Sequence, residues 1–355
     1  MDLVFLGLSL SSSWGNGHAT TYRALLRGLA EHGHRLLFLE RDVPWYASAR
    51  DLVRPEFTEL AFYTGLGDLE ARYGSRIGEA DAVVVGSYVP DGIAIIDLVA
   101  SRASGVQAFY DIDTPITLAA LAQDCCDYVA ARQVPLFDLY LSFTGGPLLR
   151  HLAGRFGARN PTALYCAVDE ELYHPRALPF AWDLGYIGTY AENRQSALER
   201  LLIEPARRLL ELRFVVAGPQ YPATIEWPAN VERIDHLPPR DHAAFYSRQR
   251  FTLNITRAEM ARVGWSPSVR LFEAGACGTA IVSDRWSGLE QLLPNVLIAD
   301  DTDDMVEILR GLDEAMRLRI GQQVRATVLR QHTGAARARE LEQAISEVLF
   351  AAARV

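Results

Sequence analysis

The alternation of short buried-strand patterns with amphipathic helix patterns constrains this chain more than any other feature. Leu3 to Leu10 is nearly all apolar, and Thr21 to Glu31 sets Tyr22, Leu25, Leu26 and Leu29 at helical spacing before Gly33. Arg35 to Glu40, Ala82 to Gly86, Gln107 to Tyr110 and Leu139 to Phe143 repeat the strand signature. Strands that are apolar on both faces and separated by helices form a parallel sheet covered on both sides. The rhythm then restarts: a strand over Leu184 to Ile187, the turn Gly188-Thr189-Tyr190, a helix over Arg194 to Leu212, and strands over Phe214 to Ala217, Phe251 to Ile255 and Ala280 to Ser283.

At 355 residues the chain is long for one core and comfortable for two. The expected division is a Rossmann-like domain over 1–168, a Pro-rich aromatic linker over 169–182, a second Rossmann-like domain over 183–333 and a packing helix over 334–355. Two doubly wound parallel-sheet α/β domains are expected to face a central cleft, with function in the strand-to-helix loops.

Charge and composition narrow the chemistry. The net charge of −9 argues against nonspecific nucleic-acid binding, which needs a basic face. All 35 basic residues are arginine, which excludes a P-loop lysine, a Schiff-base lysine and a lysine general base. Anionic ligands must then be held by arginines and helix N-termini. Cys125, Cys126, Cys166 and Cys277 lack metal-ligand spacing and read as buried thiols, so no structural metal is expected. No apolar run approaches the roughly 20 residues of a membrane span, and Met1 to Leu10 reads as a strand and not a signal peptide. A cytoplasmic protein is expected, a monomer or a homodimer.

The most informative segment runs from Trp265 to Asp284. Ser266 is a natural N-cap and Pro267 suits the first helical position, so the following helix would open with free N–H groups at Ser268 and Val269. Those donors and the helix dipole suit a diphosphate, and Glu273 lies where a carboxylate could accept two ribose hydroxyls. Gly275 and Gly278 allow close packing and end the helix before the next strand.

This segment resembles the nucleotide-sugar site of GT-B glycosyltransferases. The chain from Gly15-Asn16-Gly17-His18-Ala19-Thr20 through Asp111-Ile112-Asp113-Thr114-Pro115 to Ser266-Pro267-Ser268-Val269-Arg270-Leu271-Phe272-Glu273-Ala274 is similar to the CgeB-like, spore-maturation type. The resemblance implies the GT-B fold, a UDP- or dTDP-sugar donor in the second domain, and a small-molecule or glycan hydroxyl acceptor in the first. It implies a ribose role for Glu273 and a sugar- or ribose-contacting role for Glu290. The chain departs from the two-glutamate pattern of many retaining relatives, placing Trp265 where they carry the first acid.

Further donor-site candidates follow from position. Gly188, Thr189 and Tyr190 form an approach loop for phosphate, and Arg194, Arg257 and Arg270 are available to neutralise it. A surface ion pair with Glu259 is the plainer role for Arg257. His236 sits where the family's base-contacting loop lies.

Two chemistries compete for the loop Gly15-Asn16-Gly17-His18. As half of a dinucleotide finger, Gly15 and Gly17 would hold NAD(P) and Glu40 its ribose, making the chain an oxidoreductase, although Thr20 replaces the third glycine. As a transferase loop, its glycines make room for substrate and His18 accepts the acceptor's proton, kept neutral by the helix dipole. By resemblance to inverting GT-B enzymes, Asp111 or Asp113 would orient its ring. Trp14, Gly17, Trp45, Tyr46, Tyr88 and Tyr110, near strand ends, are candidate acceptor contacts. The leading expectation is a metal-independent, inverting glycosyltransferase with no cofactor; a nucleotide-sugar-binding protein without catalysis is a third reading.

Overall fold

The computed structural model describes residues 1–13 and 17–352, and the chain divides into two compact units. Unit 1 comprises Met1–Ala167 and Thr333–Val355; unit 2 is Val168–His332. The segment 169–182 falls inside unit 2, and the last helix belongs to unit 1.

Unit 1 is built on seven parallel strands: β1 (Asp2–Gly7), β2 (Arg35–Arg41), β3 (Glu59–Tyr63), β4 (Ala82–Gly86), β5 (Val106–Asp111), β6 (Leu139–Ser142) and β7 (Pro161–Ala163). Their order is β3-β2-β1-β4-β5-β6-β7, with Leu3 of β1 opposite Leu36 of β2 and Ala82 of β4. Leu3, Val4, Phe5 and Leu6 are fully buried, as both-face coverage of the sheet requires. β1 stops at Gly7 rather than continuing to Leu10. The Glu40 carboxylate, at the end of β2, takes the backbone N–H groups of Leu10 and Ser11 at 2.7 and 2.8 Å, pulling the chain out of strand geometry.

The helix His18–Glu31 starts earlier than Thr21, so His18 is its first residue. The final helix, Gly334–Ala352, returns to pack on it, and Ala338, Leu341 and Ile345 join Leu25, Leu26 and Leu29 in one core. Two glycines permit the close crossing. A Cβ on Gly28 would lie 2.6 Å from the Gly334 carbonyl oxygen, and one on Gly334 would lie 2.0 Å from that of Ala24.

Unit 2 holds six parallel strands: β8 (Trp182–Ile187), β9 (Phe214–Ala217), β10 (Val231–Ile234), β11 (Gln249–Asn254), β12 (Ala280–Ser283) and β13 (Leu297–Ile298). Their order is β10-β9-β8-β11-β12-β13. The helix expected over Arg194 to Leu212 is instead Glu192–Leu198, a π-helical turn Glu199–Ile203, and Glu204–Arg208. Pro205 explains the irregular turn, because it has no N–H to donate and its ring crowds the preceding turn. Asn230 closes the end, its Nδ2 donating to the carbonyls of Ala206, Leu209 and Leu212 at 3.0 Å each.

In both sheets the strand order reverses beside the first strand, between β1 and β4 and between β8 and β11. At such a switch point adjacent loops leave in opposite directions and open a crevice at the strand carboxyl ends. The loops after β1, β4, β8 and β11 are therefore where each unit can receive a ligand.

Candidate functional site

At the switch point of unit 1, the His18 ring is largely buried and its Nδ1 has no hydrogen-bond partner among the described residues. Burial lowers its pKa to about 4, so desolvation, and not the helix dipole alone, keeps the imidazole neutral. Tyr88, just after β4, meets this ring edge-on with centroids 5.5 Å apart. Tyr88 has φ +64°, a left-handed conformation uncommon for a bulky residue.

Neither aspartate orients His18 directly. The Asp113 carboxylate accepts the Tyr88 hydroxyl at 3.2 Å. Asp111 is fully buried, accepting the hydroxyls of Tyr140 and Thr117 at 2.7 Å each and the N–H of Asp113 at 3.3 Å. Burial pushes its pKa up to about 6 against the lowering effect of those bonds. No hydrogen bond joins His18 to Asp111 or Asp113 among the described residues.

The acceptor candidates separate by burial. Trp45 is 56% exposed on the short turn Pro44–Ala47, while Tyr46 beside it is buried. Tyr110 is a core residue, packed edge-on against Tyr22 and Phe143 at 5.8 and 5.3 Å, and is withdrawn as an acceptor contact. An added Cβ on Gly17 would meet nothing within 4 Å. Trp14, Gly15 and Asn16 lie outside the described residues. Glu40 also leaves the dinucleotide reading without its ribose ligand. It is fully buried, and besides the two backbone donors it accepts the Ser11 hydroxyl at 2.6 Å and that of Ser9 at 3.4 Å.

Unit 2 gathers positive charge at its own switch point. Arg270 donates from Nε to the carbonyl of Ile187 at 2.6 Å and from Nη1 to Asn254 Oδ1 at 3.2 Å, and it lies over the Tyr186 ring at 5.0 Å. Arg194 donates to the carbonyl of Thr189 at 2.8 Å, and its buried Nε has no partner. Burial lowers the Arg194 pKa; Tyr186 opposes this, and the positive charges of Arg270 and Arg257 add to it. Arg257, exposed just after β11, forms no ion pair among the described residues, because Glu259 instead accepts Asn193 Nδ2 at 3.0 Å. Three guanidinium groups thus lie within electrostatic reach of one another, none in a salt bridge among the described residues, with the Asp284 carboxylate acting on Arg270. Such a site attracts an anion.

The helix beside them is Val269–Ala276, and its N-cap is Ser268, not Ser266. Pro267 holds Ser266 out of the helical region, so the first turn forms only beyond it. Ser268 Oγ accepts the N–H of Arg270 at 3.2 Å, while Ser266 is buried with its hydroxyl 3.2 Å from Met260 Sδ. Gly188 lies under Arg270: a Cβ there would be 2.7 Å from the Tyr186 hydroxyl and 3.0 Å from Arg270 Nη2. Tyr190 packs edge-on against Tyr221 at 5.6 Å, and Thr189 is exposed.

Glu273 is only partly available to a ligand. Its Oε2 accepts the Tyr246 hydroxyl at 3.0 Å and lies 3.9 Å from His242 Nδ1. Burial opposes its charge, but His242, Tyr173 and Tyr246 outweigh burial and hold its pKa below the ordinary value. Glu273 is buried, and its carboxylate is shared among these three neighbours. His236 is exposed after β10, and Glu290 is exposed in the turn Leu289–Leu292. Neither is hydrogen-bonded to the three arginines among the described residues.

Sequence reasoning passed over His242, Asn254 and Asp284. Asp284 follows β12 and accepts the Thr256 N–H at 3.0 Å and the Thr256 hydroxyl at 2.9 Å, fixing the turn that leads to Arg257. The strand-end position of Asp284 was the available signal.

Residues 194–343 match the model of the glycosyl transferase-like family, spanning the three arginines and the helix with Glu273. No curated protein matches the chain. Solved structures show the fold. A sucrose-phosphate synthase from Thermosynechococcus elongatus is 14% identical with TM-score 0.67, over 99% of this chain and 100% of that one. An alpha-glucosyltransferase in complex with UDP-glucose and DNA containing an abasic site is 13% identical with TM-score 0.72, over 97% and 99%. AviGT4, a glycosyltransferase involved in avilamycin A biosynthesis, is 13% identical with TM-score 0.61, over 98% of each chain. The chain has the two-sheet α/β fold of the GT-B glycosyltransferases, and residues 194–343 are similar to the glycosyl transferase-like family.

Proposed function

We propose that this protein transfers a sugar from a nucleoside-diphosphate sugar to a hydroxyl acceptor, as a glycosyltransferase of CgeB-like type. The observation that carries the reading is the convergence of Arg194, Arg257 and Arg270, none in a salt bridge among the described residues, beside the N-terminus of Val269–Ala276. A diphosphate is the anion that fits this arrangement, with the N–H groups at the helix start and the Ser268 hydroxyl completing its contacts. Fixed arginines then stabilise the charge on the departing nucleoside diphosphate without a resident metal. UDP or dTDP is the favoured nucleotide, and the Glu273 carboxylate takes a ribose hydroxyl.

His18 acts as general base. The acceptor oxygen bonds to the anomeric carbon, its proton passes to the imidazole, and the carbon–oxygen bond to the diphosphate breaks with its electron pair leaving on phosphate. Attack opposite the leaving group inverts the anomeric carbon. Burial holds the His18 pKa at about 4, so the ring is unprotonated and open to a proton. Net charge −9 favours a neutral small-molecule or glycan acceptor over a polyanion, although several similar alpha-glucosyltransferase structures were solved with DNA.

Thermal-shift measurements with UDP, dTDP, GDP and NAD, followed by a mass-spectrometric screen of donors against saccharide, aromatic-hydroxyl and DNA acceptors, test the reading. Stabilisation by a nucleoside diphosphate and formation of a glycosylated product are expected. Stabilisation by NAD alone overturns it, and an unchanged anomeric configuration overturns the inverting mechanism.

A further inference from the structure

The motif Asp111-Ile112-Asp113 has two carboxylates near His18 in sequence logic and none on its ring. We infer that Tyr88 is the positioning residue for His18, and that both aspartates act on the imidazole through Tyr88. This rests on the base role proposed above for His18.

Tyr88 is held from two sides. Its hydroxyl is anchored to Asp113 at 3.2 Å. Its ring packs on Tyr128, with centroids 4.6 Å apart and planes tilted by 42°. Tyr128 is itself fixed, because its hydroxyl lies 2.7 Å from Thr117 Oγ1 and Thr117 Oγ1 lies 2.7 Å from Asp111 Oδ1. Thr117 has one proton to give. With that proton on the Asp111 carboxylate, Tyr128 is the donor to Thr117. Tyr140 donates to the other oxygen of Asp111 at 2.7 Å, so the network is pinned in the core at its far end.

The free side of Tyr88 meets His18. An edge-to-face contact at 5.5 Å with planes at 63° is the preferred geometry for two such rings, and it resists rotation of either. That resistance matters because no hydrogen bond fixes His18 Nδ1 among the described residues. The φ of +64° at Tyr88 points the same way: a bulky residue keeps a left-handed backbone only where its surroundings over-determine it. Tyr88 also contributes to the dry surroundings that keep the imidazole neutral.

The decisive measurement needs no substrate. The His18 ring resonance of the full chain, assigned by its loss in His18→Ala, is titrated by NMR in wild type, Tyr88→Phe and Tyr88→Gly. Glycine accepts the left-handed backbone, and Tyr88→Asn is the alternative if it fails to fold. Wild type is expected to titrate near pH 4, and Tyr88→Gly, by admitting water, at least about one pH unit higher. Tyr88→Phe keeps the ring and stays within about half a unit of wild type. In transfer assays Tyr88→Gly lowers kcat at least about tenfold while the donor KM stays within about twofold. A titration midpoint unmoved in Tyr88→Gly overturns the inference whatever the activity. Full transfer by His18→Ala instead removes the base role and leaves the titration result standing.

Discussion

Glu40 and Ser11 are joined by two hydrogen bonds, one from the backbone N–H at 2.8 Å and one from the hydroxyl at 2.6 Å. A carboxylate at the end of β2 therefore shapes the loop that leads to His18. Its position is the one a dinucleotide-binding protein gives to its ribose ligand, and here it is structural.

Glu40→Gln retains the size of the side chain and loses acceptor capacity where four donors meet. A loss of about 1–3 kcal/mol in unfolding free energy is expected, since a buried donor is left unpaired. Chemical denaturation measures it, and NAD is expected to stabilise neither protein.

Arg194→Ala and Arg257→Ala should each weaken UDP binding by about tenfold or more by calorimetry, losing one charge-assisted contact to the diphosphate. Their stabilities should differ. Arg257 is exposed and forms no ion pair among the described residues, so its removal should change stability by no more than about 0.5 kcal/mol. A UDP affinity unchanged in both variants would move the phosphate site elsewhere.

Asp111 gives a signed pH dependence. Its folded pKa of about 6 lies above the ordinary 3.8, so between these values the folded state binds more protons than the unfolded state. The contribution is present in full below pH 3.8 and is lost as pH rises through 6; a shift of this size corresponds to about 3 kcal/mol. Asp111→Asn should remove that slope, so its melting temperature relative to wild type should rise from pH 4 to pH 7. A constant difference across that range would contradict the assignment.

Gly28→Ala and Gly334→Ala each place a methyl group against backbone that cannot retreat independently. A loss of about 1–3 kcal/mol is expected for either, read from urea midpoints. Gly17→Ala, where the added carbon meets open space, is the comparison and should cost much less.

The two parallel sheets were legible because buried strands such as AVVVG at Ala82–Gly86 are apolar on both faces, a pattern with few alternatives. β10, with the sequence VERI, was not legible, since a short edge strand carries charge and shows no apolar run. Arg194, Arg257, Arg270 and His18 were readable as residues at strand ends. Their partners were not: whether an aspartate two residues from another meets a histidine or a tyrosine depends on tertiary packing. Tyr110 misled for the same reason. It lies near a strand end like Tyr88, but its side chain points into the core.

The return of Gly334–Ala352 to the helix His18–Glu31 sets an order of assembly during synthesis. Unit 2 is continuous from Val168 to His332 and can close as soon as its own residues are available. Unit 1 closes later, because the core that holds Leu25, Leu26 and Leu29 is incomplete until Leu341 and Ile345 have left the ribosome.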